Sequence, residues 1–223
     1  MSDITLVIPA KFEKHSLPKV LEELKSYNYK KMIVLQEDDI ETIESIKNYD
    51  CKILYQKNKG YGDALINGIN ETKTEYFCIF NADGSFHPNE IEMMLKKIQF
   101  DKLDFIFASR YQENSGSEDD TLMTYIGNFI FTLIGKIFFR LNITDILYTF
   151  VVGKTASCKS LNLEQKDFTF CVELPIKAKR KGFLITSTGS YERKRIAGEK
   201  KVNELKDGFL ILKYLLYLFL KKA

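Results

Sequence analysis

Cysteine and histidine are scarce in this chain, and the glycine signatures of the commonest nucleotide folds are missing. The four cysteines, Cys51, Cys78, Cys158 and Cys171, form no close pair with metal-ligand spacing, and reduced thiols in a cytosolic protein account for them. His87 has no second histidine near it, so it reads as a helix-entry residue before Pro88 rather than a ligand. No glycine falls between Pro9 and Leu17, which excludes a Rossmann fingerprint after the first strand and the Gly-rich turn of a sugar nucleotidyltransferase. The glycine pair Gly60-x-Gly62 lacks the Gly-Lys-Ser or Gly-Lys-Thr that a Walker A loop needs. There is no internal repeat or low-complexity segment. The net charge is only +3 and the basic residues do not interleave with aromatics, so no nucleic-acid partner is expected. The first apolar run, Ile4 to Ile8, is of strand length and ends at Pro9, without the architecture of a signal peptide.

What is present is an alternation. With 223 residues the chain suits one substantial core. Apolar runs predict strands at Ile4–Ile8, Lys31–Leu35, Lys52–Tyr55, Tyr76–Phe80 and Asp104–Ser109. Between them, helical periodicity covers Leu17–Tyr27, Ile40–Asn48, Tyr61–Thr72 and Asn89–Gln99. Strands separated by helices at these spacings imply an α/β domain, a mostly parallel sheet with helices on both faces.

After Tyr111 the pattern changes. Gln112 to Asp120 is polar and acidic and reads as a mobile loop, a lid over a ligand being one use for it. Thr121 to Leu141 is dominated by apolar residues, with Lys136 and Arg140 four apart, as in a helix lying in a membrane interface; a core helix is the alternative. Phe209 to Leu220 is almost wholly apolar, interrupted by Lys213 and followed by Lys221 and Lys222. It falls short of the roughly 20 residues of a membrane span. Surface docking, packing on a neighbouring chain and a plain core helix all fit it. The expected division is therefore a domain over residues 1–207 and an apolar C-terminal helix over 208–223, with basic residues crowded between Lys177 and Lys222.

Three of the strands end on polar groups: Pro9-Ala10-Lys11-Phe12-Glu13, Gln36-Glu37-Asp38-Asp39 and Asn81-Ala82-Asp83. In open α/β sheets ligands lie beyond the carboxyl ends of the strands, and a carboxylate there can hold a divalent cation against phosphates. Asn58-Lys59-Gly60-Tyr61-Gly62 precedes a helix, and its two glycines permit close backbone approach to a ligand.

These motifs in this order, with Ser109-Arg110-Tyr111 and Arg195-x-x-Gly198-x-x-Lys201, resemble the family-two glycosyltransferases of the GT-A fold. Within them the chain is most similar to the dolichyl- and polyprenyl-phosphate mannose or glucose synthase branch, over roughly residues 4 to 212. The resemblance implies inverting transfer of a sugar from a UDP- or GDP-linked donor to a polyprenyl phosphate or a glycan hydroxyl, with Mg²⁺ or Mn²⁺. It implies peripheral membrane contact at the cytoplasmic face, and leaves open a membrane-anchor subunit or a second copy as partner. Pro9, Ala10, Glu13 and Glu37 match the nucleoside pocket; Gly60 and Gly62 join the donor loop; Asn81 and Asp83 match the metal and diphosphate motif. Arg110, Arg195 and Lys201 match cations near the donor phosphates. Glu173 aligns with an acceptor-side acid, a candidate base for a hydroxyl acceptor; a buried carboxylate organising the basic loop is the alternative. Asn81 departs from the usual first acid, so the cation site has one protein carboxylate. Gln36 and Tyr61 also depart from the pattern, and Asp145 to Val151 keeps its Asp and Phe but not its Gly and Arg.

Overall fold

The computed structural model describes residues 3–198 and 200–221; Lys222 of the basic C-terminal run lies outside them. Five strands follow the expected alternation: β1 (Ile4–Pro9), β2 (Lys30–Leu35), β3 (Lys52–Tyr55), β4 (Tyr76–Ile79) and β5 (Phe105–Ser109). The helices between them are α1 (Leu17–Glu23, continued by a 3₁₀ turn at Leu24–Ser26), α2 (Ile40–Ile46), α3 (Tyr61–Glu71) and α4 (Pro88–Phe100). The chain then adds β6 (Gly116–Ser117), α5 (Leu122–Phe139), β7 (Val151–Lys154), α6 (Thr155–Ser160), α7 (Phe170–Arg180), β8 (Ile185–Gly189), β9 (Tyr191–Glu192) and α8 (Glu204–Leu220).

Seven strands form one sheet in the order β3-β2-β1-β4-β7-β5-β8, parallel except for β7, which runs antiparallel to β4 and β5. Burial on both faces follows from the residues. In β1, Leu6 and Ile8 enter the core under α1 and α4, while Val7 between them enters the core under α3 and α7. Cys78 and Phe77 divide in the same way in β4. Both sets are buried, the signature of a parallel sheet covered on both sides.

The segment expected to be a mobile lid is tied down instead. Its β6 pairs in parallel with β9, and the Glu118 N–H donates to the Glu192 carbonyl at 2.9 Å. The reason is charge: an acidic stretch lies against a basic one, as the Asp119–Arg195 ion pair shows.

The apolar C-terminal helix starts at Glu204 rather than Gly208, because the Asn203 side chain caps it by accepting from the Lys206 N–H at 3.0 Å. It is not an appendage free of the domain. Ile211, Leu215 and Leu218 are buried in the core shared with α5 and α7, and Phe138 meets Phe219 edge to face at 5.3 Å. Opposite these contacts, α5 and α8 leave apolar faces open, among them Phe129, Leu133 and Ile137 on one and Phe209, Leu212 and Leu216 on the other. Among the described residues α5 alone is long and apolar enough to cross a membrane by length and composition, and only 17% of it is buried.

Candidate functional site

The carboxyl ends of β1 and β4 deliver the first part of the site. After β1, the turn Ala10–Glu13 is drawn down onto the start of α2. Phe12, at φ 56°, donates its N–H to Asp39 Oδ2 at 2.7 Å, and the Glu13 N–H donates to Thr42 Oγ1 at 3.0 Å. Asp39 also caps α2 through the Thr42 N–H, so one acid fixes both the helix and the loop. Glu13 is buried, accepts from the Ser16 hydroxyl at 2.5 Å and faces Lys201 at 3.7 Å. Burial raises its pKa above the ordinary carboxylate value, with Ser16 and Lys201 opposing the rise and the Asp83 charge adding to it.

After β4, Asp83 folds its side chain back to accept from the Ser85 N–H at 3.0 Å, and Gly84 follows at φ +82°. Phe86 anchors the far end of this turn, stacked on Phe150 at 4.6 Å and packed edge-on to Phe80 at 5.8 Å. Asn81 donates to Ser85 Oγ at 3.3 Å, which orients its amide beside Asp83.

A strap formed by residues 191–198 lies over the turn. The Arg193 N–H donates to the Ser85 carbonyl at 2.9 Å and the Ile196 N–H to the Asp83 carbonyl at 2.8 Å. Arg193 clamps the strap to α1 through a two-pronged pair with Glu23 at 2.9 and 3.0 Å. Gly84 is required here: a Cβ on it would sit 2.4 Å from Ile196 Cδ1. Arg195 is held by Asp119, and that hydrogen bond is the main reason its pKa is raised; the charges of Asp83 and Glu13 add to it. Glu13, Asp83, Arg195 and Lys201, 188 positions apart at the extremes, are thus one electrostatic neighbourhood.

The remaining expected residues divide. Pro9 is half-buried and Ala10 buried beside Glu13, and Glu37 stands exposed at the end of β2. Gln36 donates to the Asn58 carbonyl at 2.8 Å, which joins the β2 end to the glycine turn. The glycines of that turn have a different immediate purpose from the one expected. A Cβ on Gly60 (φ +128°) would lie 2.0 Å from the Lys166 carbonyl oxygen, and one on Gly62 would lie 2.1 Å from that of Gln165. The chain's own loop, not a ligand, occupies the space a side chain would fill.

Arg110 also departs from expectation. Its guanidinium makes a two-pronged pair with Asp145 (2.8 and 3.1 Å), reaches Glu192 at 3.2 Å and lies over the Tyr148 ring at 4.7 Å. Burial opposes its charge, but Asp145 and Glu192 outweigh burial and hold its pKa well above the usual value. Its charge is met by carboxylates, and it joins β5 to β9 and to the segment before β7. Glu173 is likewise committed: fully buried, it accepts from the backbone N–H groups of Glu164 and Gln165 and pairs with Lys177. That geometry corrects the reading of Glu173 as an available base and matches the loop-organising alternative.

Asp145, Asp119 and Glu192 were not singled out as site residues from the sequence. The signal that could have found Asp119 is charge complementarity between the acidic loop and the basic stretch that follows Glu192.

Among the described residues no group of three or more histidine, cysteine, aspartate or glutamate side chains gathers as a cation cage. One carboxylate and one amide, Asp83 and Asn81, suit a hard cation that takes most of its oxygens from a bound diphosphate and water.

The glycosyl transferase family 2 domain matches residues 5–161, more than half of the chain. An uncharacterized protein of Methanocaldococcus jannaschii is 29% identical over 132 residues, covering 57% of this chain and about half, 54%, of that relative. A UDP-N-acetylglucosamine–dolichyl-phosphate N-acetylglucosaminyltransferase of Methanococcus voltae is 23% identical over 201 residues, covering 79% of this chain and 80% of the relative. Among solved structures, glucosyl-3-phosphoglycerate synthase from Mycobacterium tuberculosis, in complex with Mn²⁺, UDP-glucose and phosphoglyceric acid, superposes with a TM-score of 0.78 at 12% identity, over 100% of this chain and 81% of that one. Mannosyl-3-phosphoglycerate synthase from Rubrobacter xylanophilus superposes with a TM-score of 0.71 at 13% identity, over 99% and 74%. With its sheet order, its polar strand ends and this match, the chain belongs to glycosyl transferase family 2 and has the GT-A fold.

Proposed function

We propose that the chain transfers a sugar from a UDP- or GDP-linked donor to a polyprenyl phosphate at the cytoplasmic face of a membrane, with inversion at the anomeric carbon. The observation that carries this reading is the convergence of Glu13, Asp83, Arg195 and Lys201 at one sheet edge, a mixed-charge site suited to a diphosphate and its cation.

In this reading Pro9, Ala10, Glu13 and Glu37 line the nucleoside side, and the turn carrying Gly60 and Gly62 borders it. Asp83 and Asn81 would hold Mg²⁺ or Mn²⁺, which would supply positive charge beside the departing nucleoside diphosphate. Arg195 does the same from the strap and Lys201 from just beyond it, where fixed cations need no reorganisation as charge develops. An acceptor phosphate oxygen attacks the anomeric carbon; the bond to the donor diphosphate breaks and its electron pair leaves with the nucleotide. A lipid phosphate, with a second pKa near about 6, is mostly dianionic at neutral pH and needs no base. A hydroxyl acceptor would need one, and the lone pairs of Glu173 are already occupied.

Two observations support the lipid acceptor. The Methanococcus voltae relative carries dolichyl phosphate in its name. The open faces of α5 and α8 are apolar and carry Lys136, Lys213 and Lys221, with no acid between Leu122 and Phe139 or between Gly208 and Lys221, which favours an anionic lipid surface over a second copy of the same face.

Calorimetric titration with UDP, GDP and their sugar conjugates, in Mg²⁺, in Mn²⁺ and in chelator, tests the donor side. Cation-dependent binding of one nucleotide is expected, followed by transfer to a polyprenyl phosphate in detergent. Binding of none would leave a non-catalytic scaffold as the better description of this chain.

A further inference from the structure

Glu173 lies in the first turn of α7 with none of its surface exposed. A carboxylate costs several kcal/mol to bury unless its lone pairs are met, and here they are met from separate parts of the chain. The N–H groups of Glu164 and Gln165 donate at 3.0 and 2.9 Å, Lys177 Nζ at 2.7 Å, and the Tyr214 hydroxyl of α8 at 3.2 Å. The loop so held is the one that fills the space beside the glycine turn. Its Lys166 carbonyl accepts from the Asp63 N–H at 3.0 Å, and its Phe168 ring stacks on Tyr61 at 5.0 Å. Asp63 in turn accepts from Asn58 and Asn67, which closes the turn on itself.

We infer that Glu173 is a positioning residue that couples α8, through Tyr214, to the Gly60–Asp63 turn at the donor edge, so that seating α8 on a lipid surface tightens nucleotide binding. The wiring stands on the contacts just described; its use as a lipid sensor rests on the proposed function. Tyr214 is on the same helix as the open face of Phe209, Leu212 and Leu216, so whatever fixes that face also fixes the phenol against Glu173. The glycine turn is the receiving end because the loop Glu173 organises lies where side chains on Gly60 and Gly62 would be, and its Lys166 carbonyl takes the Asp63 N–H.

Tyr214→Phe removes one hydroxyl and keeps the ring that stacks on Tyr217. Amide hydrogen exchange on the full chain reads the wiring without any substrate. The Asp63, Glu164 and Gln165 amides are expected to exchange about tenfold faster in the variant, the gain from losing one hydrogen bond to a charged group, while Val7, Phe77 and Ile106 stay unchanged. An unaltered Asp63 amide, or equal acceleration across the sheet, overturns the coupling. Calorimetry with UDP and with GDP in Mn²⁺, with and without phosphatidylcholine–phosphatidylglycerol vesicles, reads the use. Vesicles are expected to tighten nucleotide binding by about fivefold in the wild type, and to have no such effect in Tyr214→Phe, which still binds them. An equal vesicle effect in both proteins, or none in the wild type, overturns the sensor. Failure of both nucleotides to bind removes the proposed function, and with it the sensor, while the exchange data still decide the wiring.

Discussion

The Ile196 N–H donates to the carbonyl of Asp83 at 2.8 Å, so the chain that carries Arg195 is hydrogen-bonded to the very residue proposed to hold the cation. Arg195, proposed to face the donor phosphates, and the acid are thereby set on one frame, and changes to either are expected to separate catalysis from folding.

Asp83→Asn keeps an acceptor for the Ser85 N–H and removes only the charge. Transfer is expected to fall on the order of 100-fold or more, the scale of losing one fixed electrostatic partner, with an unchanged unfolding midpoint. Wild-type turnover in this variant would refute the site.

Gly84→Ala places a methyl 2.4 Å from Ile196 Cδ1 at a backbone φ of +82°. A loss of about 1–2 kcal/mol is expected from the left-handed conformation alone, plus displacement of the strap. Adding Ile196→Ala should recover the steric part and not the backbone part. Urea unfolding of the two variants separates them, and a fully recovered double variant would show that the backbone is unstrained there.

Arg110→Lys retains the charge but not the fork that meets Asp145, Glu192 and the Tyr148 face together. Because it leaves a buried carboxylate poorly partnered, a loss of about 3 kcal/mol is expected. If Arg110 instead served mainly at the donor phosphates, nucleotide affinity would drop with stability intact.

Glu13 has a folded pKa raised above 4.5 by burial. The folded state therefore holds its proton more tightly than the unfolded chain does, and the contribution to stability is fully present below pH 4.5 and is lost as the pH rises through the folded value. Burial likewise raises Glu192, so it acts with the same sign. Glu13→Gln should flatten the decline in stability between pH 4.5 and neutrality, as measured by urea titration at each pH. A variant whose stability still falls as steeply as the wild type would assign the decline elsewhere.

Truncation after Asp207 would remove the buried Ile211, Leu215 and Leu218 and the Tyr214–Glu173 contact along with the open face, so it damages the core as well. Phe209→Glu alters an exposed ring alone. Its affinity for anionic vesicles is expected to fall by roughly tenfold or more, for about 2 kcal/mol of apolar burial forgone. Unchanged vesicle flotation would point to a protein partner for that face.

The first half of the fold was legible because each strand there is a mostly apolar run and helical periods separate the runs. β7 and β8 were not. Val151–Lys154 contains Gly153, packed where Phe77 and Phe105 leave no room for a side chain, and Ile185–Gly189 is Ile-Thr-Ser-Thr-Gly. Such residues are strands only because a sheet is already there to receive them. At the site, the motif residues on strand ends could be read locally, whereas the commitment of Arg110 to Glu192, 82 residues away, and of Arg195 to Asp119, 76 away, depends on the folded chain. The same holds for Gly60 and Gly62, whose spacing is visible in the sequence and whose neighbour, the loop at Lys166, is not.

Because β7 runs against its neighbours, its first residue, Val151, pairs with Ile79 and Phe107 near the outgoing ends of β4 and β5. The connection that precedes it, from Arg140 to Phe150, therefore arrives at the donor edge from outside the crossover pattern. Its buried Asp145 and Phe150 meet Arg110 and Phe86, so the one strand that reverses direction is led in by the residues that brace the outgoing end of β5 and the turn after β4.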